Sequence, residues 1–359
     1  MYRLQKSDME DLVAYYRHHK RSFPWRLSQD PYDVWLSEIM LQQTRTEAVI
    51  SYFLRFKEEV PDIATLAAID DDRLLRLWEG LGYYSRARNL KKCAQLIEEG
   101  YDGKIPVDHE VLLKLPGIGP YTAGAIMAIA FGQPYAAVDG NVLRVLSRYF
   151  GIREDIRQPK LRKQLEEAIC AFYREHDIED EQFIRDLTQA YMDLGATVCI
   201  PNGKPDCESC PLRMDCHTCQ NGLWETIPFR SGNKERRILE RTLFIVRSGE
   251  TFLLAKRPAR GLLAGMYEFI GADGKLDRDV AGNYLKERGF DVLQMRRLPD
   301  ARHVFTHIEW RMRAYEVSIG NWDLPLKENE ALFAKEELQG LALPSAFRVY
   351  SEYYGLRGG

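Results

Sequence analysis

The chain has 359 residues, a formal net charge of −3 and a hydrophobic share of 45%. That length sets two or three domains and the apolar content is enough for real cores, which excludes a disordered or low-complexity chain. The mildly acidic balance excludes a global electrostatic grip on nucleic acid, so any DNA contact has to be local. No apolar run reaches the roughly 18 to 20 residues of a membrane span, and residues 1–12 alternate charge and polarity instead of forming an apolar leader. We therefore expect a reducing compartment and no membrane partner.

From Ser7 to Tyr191 apolar residues recur at helical spacing, as in Leu74, Leu75, Trp78 and Leu81, so this half is expected to be all-helical. An early helix opens at Asp30-Pro31-Tyr-Asp-Val-Trp-Leu-Ser-Glu-Ile-Met-Leu-Gln-Gln-Thr, with an Asp cap and Pro31 in the first position. Within it Glu38 stands among Val34, Trp35, Leu36, Ile39 and Leu41. Either it lies on a wet helix face, or its burial raises the carboxyl pKa as a general acid at neutral pH requires. Further on, Leu112-Leu-Lys-Leu-Pro-Gly-Ile-Gly-Pro-Tyr-Thr-Ala-Gly-Ala-Ile ends one helix near Leu115, turns at Gly117 and Gly119, and starts the next at Pro120. This is a helix-hairpin-helix. Its alternatives are a plain glycine-rich connection or a hairpin whose unpaired N–H groups hold a DNA phosphate without a basic side chain. Asp139, in Val138-Asp-Gly-Asn-Val, precedes an amphipathic helix, where it is a cap, a fixed carboxylate, or both.

Cys199, Cys207, Cys210 and Cys216 then fall in one short polar segment with the spacing C-x7-C-x2-C-x5-C. A thiolate set of this kind ligates metal. Structural zinc usually comes as two close pairs, so one close pair with two outlying cysteines favours an iron–sulfur cubane over zinc or free thiols. Cys219 is expected as a spare or exchange ligand, while Cys93 and Cys170 lie in helical patterns as core residues. Basic stretches occur at 86–92, 157–163 and 230–241, each of which more often marks a solvated face than a phosphate track. Residues 220–237 are polar and aperiodic and read as a linker. Beyond Arg241 the pattern turns strand-like: Thr242-Leu-Phe-Ile-Val-Arg, a Ser-Gly-Glu turn and Thr251-Phe-Leu-Leu-Ala-Lys form a hairpin signature. Residues 280–288 read as a helix and 311–318 as a strand, so the second domain is a small α+β unit.

Together these residues resemble the helix-hairpin-helix DNA glycosylases with a four-cysteine [4Fe-4S] cluster, in their adenine DNA glycosylase (MutY-type) branch. The resemblance runs from about Phe23 to Cys216 through Phe-Pro-Trp-Arg at 23–26, residues 30–44, Gly80-Leu-Gly-Tyr-Tyr-Ser-Arg-Ala-Arg-Asn, residues 115–124 and Val138-Asp-Gly-Asn-Val. The endonuclease III branch carries a Schiff-base lysine after the hairpin; here that position is Tyr121, so base removal without efficient strand nicking is implied. The resemblance further implies that Glu38 protonates the departing adenine and Asp139 stabilises an oxocarbenium-like sugar, with Tyr121 and Asn141 supporting the sugar-facing carboxylate and the water. Gln43 and Tyr83 match residues that wedge into the duplex once adenine is flipped out. Gln42, Gly117 and Gly119 complete the expected DNA-binding set, and Cys199, Cys207, Cys210 and Cys216 the cluster ligands.

The implied architecture is mainly α, a glycosylase region followed by a smaller α+β Nudix-like domain. The expected divisions are 1–220 for the helical region (a six-helix barrel at about 27–138; a cluster subdomain at about 1–26 plus 139–220), 221–237 for the linker and 238–359 for the Nudix-like domain. Gly265-Met-Tyr-Glu-Phe resembles the latter's characteristic segment, and His303-Val-Phe-Thr-His-Ile its 8-oxoguanine recognition loop, with Phe305, Thr306 and His307 as candidates. A pyrophosphatase activity is not expected, because Asn283 and Lys286 stand where metal-binding glutamates belong and only Glu287 remains. Two departures touch detail: x7 replaces the family's common x6 after the first cysteine, and Thr44-Arg45-Thr46 replaces the more usual Thr-Gln-Val. The expected substrate is double-stranded DNA with adenine opposite 8-oxoguanine or guanine, handled by a monomer in the bacterial cytoplasm at the nucleoid. The alternatives are an endonuclease III-like glycosylase/lyase for oxidised pyrimidines and a non-catalytic iron–sulfur protein that binds DNA or senses redox state.

Overall fold

The computed structural model describes residues 2–232, 235–338, 340–341 and 343–353. Of the expected linker, residues 233 and 234 lie outside the described residues, as does the end of the expected Nudix-like domain at 354–359. The chain divides into two compact units, Met1–Ile69 with Asn89–Gly232, and Asp70–Arg88 with Asn233–Gly359. By contact, residues 70–88 group with the C-terminal residues.

The first unit is helical: α1 (Lys6–His19), α2 (Pro31–Leu41), α3 (Thr46–Glu59) and α4 (Ile63–Ala68) come first. After α5 (Asp71–Leu77), which belongs to the second unit, follow α6 (Ser85–Tyr101), α7 (His109–Leu112), α8 (Pro120–Ala125), α9 (Gly140–Phe150), α10 (Pro159–Glu175), α11 (Glu181–Thr197) and the short α12 (His217–Gln220). Two predicted caps form as expected. The Asp30 side chain accepts from Tyr32 N at 2.9 Å with Pro31 at the first position of α2, and the Asp139 side chain caps α9.

One core of this unit gathers on α9, where Val142, Val145, Leu146 and Tyr149 pack with Met9, Leu12 and Tyr16 of α1 and with Leu187, Tyr191 and Leu194 of α11. Two glycines permit the approach of backbone that shapes the site. A Cβ on Gly195 of α11 would meet the Asn141 Cβ at 2.5 Å, and one on Gly124 of α8 would collide with the Ala136 carbonyl. The strand-like segment leading into Asp139 is thus pressed onto the hairpin helix, and the first turn of α9 onto α11. The expected linker is pinned at its start: Ile227 O accepts from Arg148 Nε at 2.9 Å, and Phe229 bridges to Asp155.

In the second unit the described residues form a six-stranded sheet of β1 (Arg237–Ser248), β2 (Thr251–Lys256), β3 (Tyr267–Asp273), β4 (Val292–Val304), β5 (Ile308–Ile319) and β6 (Glu330–Ala334), in the order β4-β5-β1-β3-β2-β6. The sequence shows the β1–β2 turn but not its fate. The two strands pair only at Arg247↔Phe252 and Ser248↔Thr251; farther down they splay, and β3 pairs antiparallel with both. β5 runs parallel to β1 from Arg237↔Ile308 to Arg247↔Ser318. Helix α13 (Arg278–Glu287) caps one face over Phe244, Val246 and Tyr315. The opposite face buries Leu243, Phe269, Trp310 and Phe347, below α14 (Lys335–Leu338) and α15 (Arg348–Tyr353).

Leu146 is fully buried at the centre of α9. Leu146→Ala should lower the unfolding free energy of the first unit by about 2–5 kcal/mol, the cost of lost transfer energy plus the cavity; urea unfolding followed by far-UV circular dichroism reads it.

Candidate active site

A cleft of about 1330 Å³ opens in the first unit, lined among others by Arg26, Glu38, Gln42, Gln43, Gly119, Tyr121, Asp139 and Asn141. The structure therefore brings together the four residues expected to be catalytic. Glu38 projects from α2 and is 5% exposed, so the wet-face reading fails. Burial pushes its carboxyl up to about 7, and the repulsion of Asp139 adds to the rise. The Tyr121 hydroxyl, which donates to Glu38 Oε2, and the Arg26 guanidinium both pull it back. Tyr121 itself is held well above its ordinary value, first by burial and then by the two carboxyls, so it is a neutral donor. Its hydrogen-bond partner is Glu38, while Asp139 acts on it through space.

Asn141 does support Asp139. Its side-chain amide donates to Asp139 Oδ2 at 2.8 Å, while the backbone N–H groups of Asn141 and Val142 reach Oδ1, each at 2.8 Å. Burial raises the Asp139 carboxyl above its ordinary range, and these three donors and the Arg144 guanidinium oppose that rise. The carboxylate that caps α9 is also one that lines the cleft.

Residues the motif reading passed over complete the site. Arg26 donates to both oxygens of Asp193, at 2.8 and 3.0 Å, and Arg21 shares that carboxylate. Burial pushes Asp193 up, but these cations hold it below the usual carboxylate range. Arg144, buried on α9, donates to Asn141 Oδ1 at 2.9 Å, Gly195 O at 2.6 Å and Cys199 O at 2.7 Å. Arg148, one turn on, donates to Cys199 Sγ at 3.3 Å and Ile200 O at 2.9 Å. No sequence signal separates such arginines from a solvated helix face; only their place on the buried side of α9 does.

The hairpin forms as expected, α7 leading through Gly117 (φ +83°) to Gly119, which caps α8. Gln42 caps the end of α2 and its amide reaches Thr122 Oγ1 at 3.4 Å, whereas Gln43 sits in the left-handed region at φ +60°. In the second unit Tyr83 is 48% exposed, and its hydroxyl lies 2.6 Å from Thr306 Oγ1. Phe305, Thr306 and His307 form the tip of the β4–β5 hairpin, closed by Phe305 N donating to Ile308 O at 2.8 Å. Phe305 turns inward against Trp310, while Thr306 and His307 are exposed.

Among the described residues, no group of three or more His, Cys, Asp or Glu side chains stands as a closed metal-binding set. The thiols of Cys199, Cys207, Cys210 and Cys216 nevertheless act on one another electrostatically, and Cys219 adjoins Cys207. Burial pushes Cys207 up to about 11 and Cys210 up to about 12. The Arg148 guanidinium faces Cys199, and backbone N–H groups of Leu212 and Cys219 are aimed at Cys210 and Cys216. Soft sulfur donors with N–H groups directed at them suit an iron–sulfur group or zinc, so the donor set fits.

Residues 36–170 match the profile of the HhH-GPD superfamily of base excision DNA repair proteins, and 241–353 that of the NUDIX domain. The adenine DNA glycosylase of Buchnera aphidicola subsp. Acyrthosiphon pisum is 33% identical, over 82% of this chain and 81% of that one. The adenine DNA glycosylase of Homo sapiens is 30% identical over 97% and 74%. The solved structure of a thermostable thymine-DNA glycosylase aligns with a TM-score of 0.53 and 28% identity, covering 59% of this chain and 95% of that one.

Tyr121→Phe removes a donor that favours the Glu38 carboxylate. The Glu38 pKa should rise further above about 7, which carbon NMR of selectively labelled glutamate measures.

Proposed function

Because this chain belongs to the adenine DNA glycosylase family and acts in base excision repair of adenine mispairs, we propose that Glu38 is the acid that protonates the departing adenine and Asp139 the carboxylate that faces the sugar cation. The single observation that carries this reading is the contrast between two buried carboxyls in one cleft. Two such groups cannot both ionise cheaply, and the proton goes to the one with fewer donors. Glu38 has the Tyr121 phenol; Asp139 has three N–H donors. Titrating at about 7, Glu38 keeps a large protonated fraction at neutral pH and is matched to general acid catalysis, and Tyr121 then supports the carboxylate left behind. Asp139, fixed by the cap, faces a developing positive charge without moving, as in glycoside hydrolysis.

DNA is the partner, since the relatives are DNA glycosylases. The hairpin N–H groups between Gly117 and Gly119 suit a phosphate, and Gln42, Gln43 and Tyr83 the opened duplex, where a flipped adenine must be replaced. Preference for 8-oxoguanine opposite the adenine we assign to Phe305, Thr306 and His307, a reading supported by the exposure of the last two at a hairpin tip and by the NUDIX-profile match of that region. With a tyrosine at 121 there is no amine there to cut the strand through a Schiff base, so the product is an abasic site. Cys199, Cys207, Cys210 and Cys216 would hold a [4Fe-4S] cluster, whose chemistry here is the cross-linking of a loop with little core of its own. We further propose that the protein works as a monomer at the chromosome.

Single-turnover assays on duplexes with adenine opposite 8-oxoguanine, guanine or thymine, alongside a thymine-glycol duplex, test the whole reading. Excision from the first two, visible only after alkali, is expected; nicking of thymine glycol without alkali overturns it. The rate should hold below pH 7 and fall by about tenfold per pH unit above it, as Glu38, titrating at about 7, loses the proton it must donate. Asn is as good a helix cap as Asp, so Asp139→Asn should leave the melting temperature nearly unchanged while the single-turnover rate falls on the order of a hundredfold or more. A near-normal rate would reduce Asp139 to its cap.

A further inference from the structure

Tyr83 is a large aromatic side chain, half exposed, with its hydroxyl against Thr306 Oγ1, on a backbone that a tyrosine does not choose. Its φ is +47°, in the left-handed region, and it follows Gly80 at φ +100° and Gly82 at φ +70°. A side chain on such a turn points one way only if something underneath over-determines the turn.

Arg86 does this through five contacts. It is 8% exposed, and its Nη2 donates to Leu81 O at 3.0 Å and Gly82 O at 3.1 Å. Its backbone N–H donates to Tyr83 O at 2.8 Å. Its guanidinium lies over the Trp78 ring at 5.4 Å and over the Tyr83 ring at 5.6 Å, and Trp78 Nε1 donates to Gly82 O at 3.2 Å, closing the frame. Burial pulls the guanidinium down to about 10, which leaves it cationic at neutral pH. One guanidinium nitrogen holds both carbonyls while the flat group lies over two aromatic rings, and the compact ammonium of lysine has no planar face to do the second.

We propose that Arg86 is a positioning residue that presets Tyr83, both its left-handed backbone and the direction of its ring, for insertion into the duplex. The proposal rests on the reading of Tyr83 as an inserting residue. It goes further in making insertion a property of the free protein, prepared before DNA arrives. Binding then loses less entropy than it would if a mobile tyrosine had to be ordered on the DNA.

The test is a double-mutant cycle on the full chain with an adenine:8-oxoguanine duplex, read by single-turnover rate and by the fluorescence of 2-aminopurine next to the mispair, which brightens on unstacking. Arg86→Lys keeps the charge and loses the planar group that lies over Trp78 and Tyr83. It should slow excision by on the order of tenfold to a hundredfold, as small misplacements of positioning groups do, and suppress the brightening, as Tyr83→Ala does. In the Tyr83→Ala background Arg86→Lys should change the rate by less than about twofold, because nothing is left to position. Additive losses in the double variant would overturn the proposal while leaving the reading of Tyr83 standing. A Tyr83→Ala variant with normal rate and brightening would overturn both. Circular dichroism melts of each variant accompany the cycle, and Arg86→Gln, which keeps one donor group, replaces Arg86→Lys should the lysine variant fail to fold.

Discussion

Three donors converge on the Asp139 carboxylate, and the architecture of the first unit is arranged around keeping them there. The cap starts α9, and α9 is the member against which α1 and α11 bury their apolar faces. Its inner side carries Arg144 and Arg148, whose guanidiniums take up the carbonyls of the cysteine loop. The same helix thus starts at a buried cleft carboxylate and, through its inner arginines, holds the thiol-rich segment. Because Gly195 lets α11 lie directly on Asn141, the amide that orients Asp139 cannot swing away without disturbing the core. Preorganisation of this kind is what makes a fixed carboxylate useful against a positive charge that exists only in the transition state.

Glu38 obeys the opposite logic. Asp139 is surrounded by N–H groups, whereas Glu38 is surrounded by side chains that exclude water, with one phenol for company. Arg26 stands near enough to lower its pKa, but that charge is largely committed to Asp193 by a two-pronged ion pair. The pair gives the cleft a cation that does not fully neutralise the acid. An Arg26 without Asp193 would draw Glu38 further toward its ionised form.

Much of this could be read from the residue string, and for local reasons. Asp30, Pro31 and Asp139 announce helix starts through chemistry confined to three or four residues, and Pro-Gly-Ile-Gly-Pro announces the hairpin in the same way. What failed to show is non-local. The turn after β1 is plain in Ser-Gly-Glu, yet nothing in it says that β3 enters between the two strands it joins. Tyr121 could be matched to a position but not to a partner, because whether it meets Glu38 or Asp139 depends on how α2 and α8 approach. Arg86, Arg144 and Arg148 look like surface arginines, since the pattern of a helix gives its period and not which side the rest of the chain will cover. The grouping of residues 70–88 with the C-terminal sheet is hidden for the same reason.

The long parallel pairing of β1 with β5 has a consequence for how the second unit comes into being. Partners such as Leu243 and Ala314 are about seventy residues apart in the chain. At synthesis rates of roughly 5–20 residues per second, β1 leaves the ribosome some 4 to 14 seconds before the strand that completes its edge. During that interval the edge of β1 that β5 will pair with, along Leu243, Phe244, Ile245 and Val246, has no strand partner. A nascent chain at this stage displays an apolar strand edge of the kind that pairs with other chains. The second unit therefore depends on being kept apart from its neighbours until the final third of the molecule has been made.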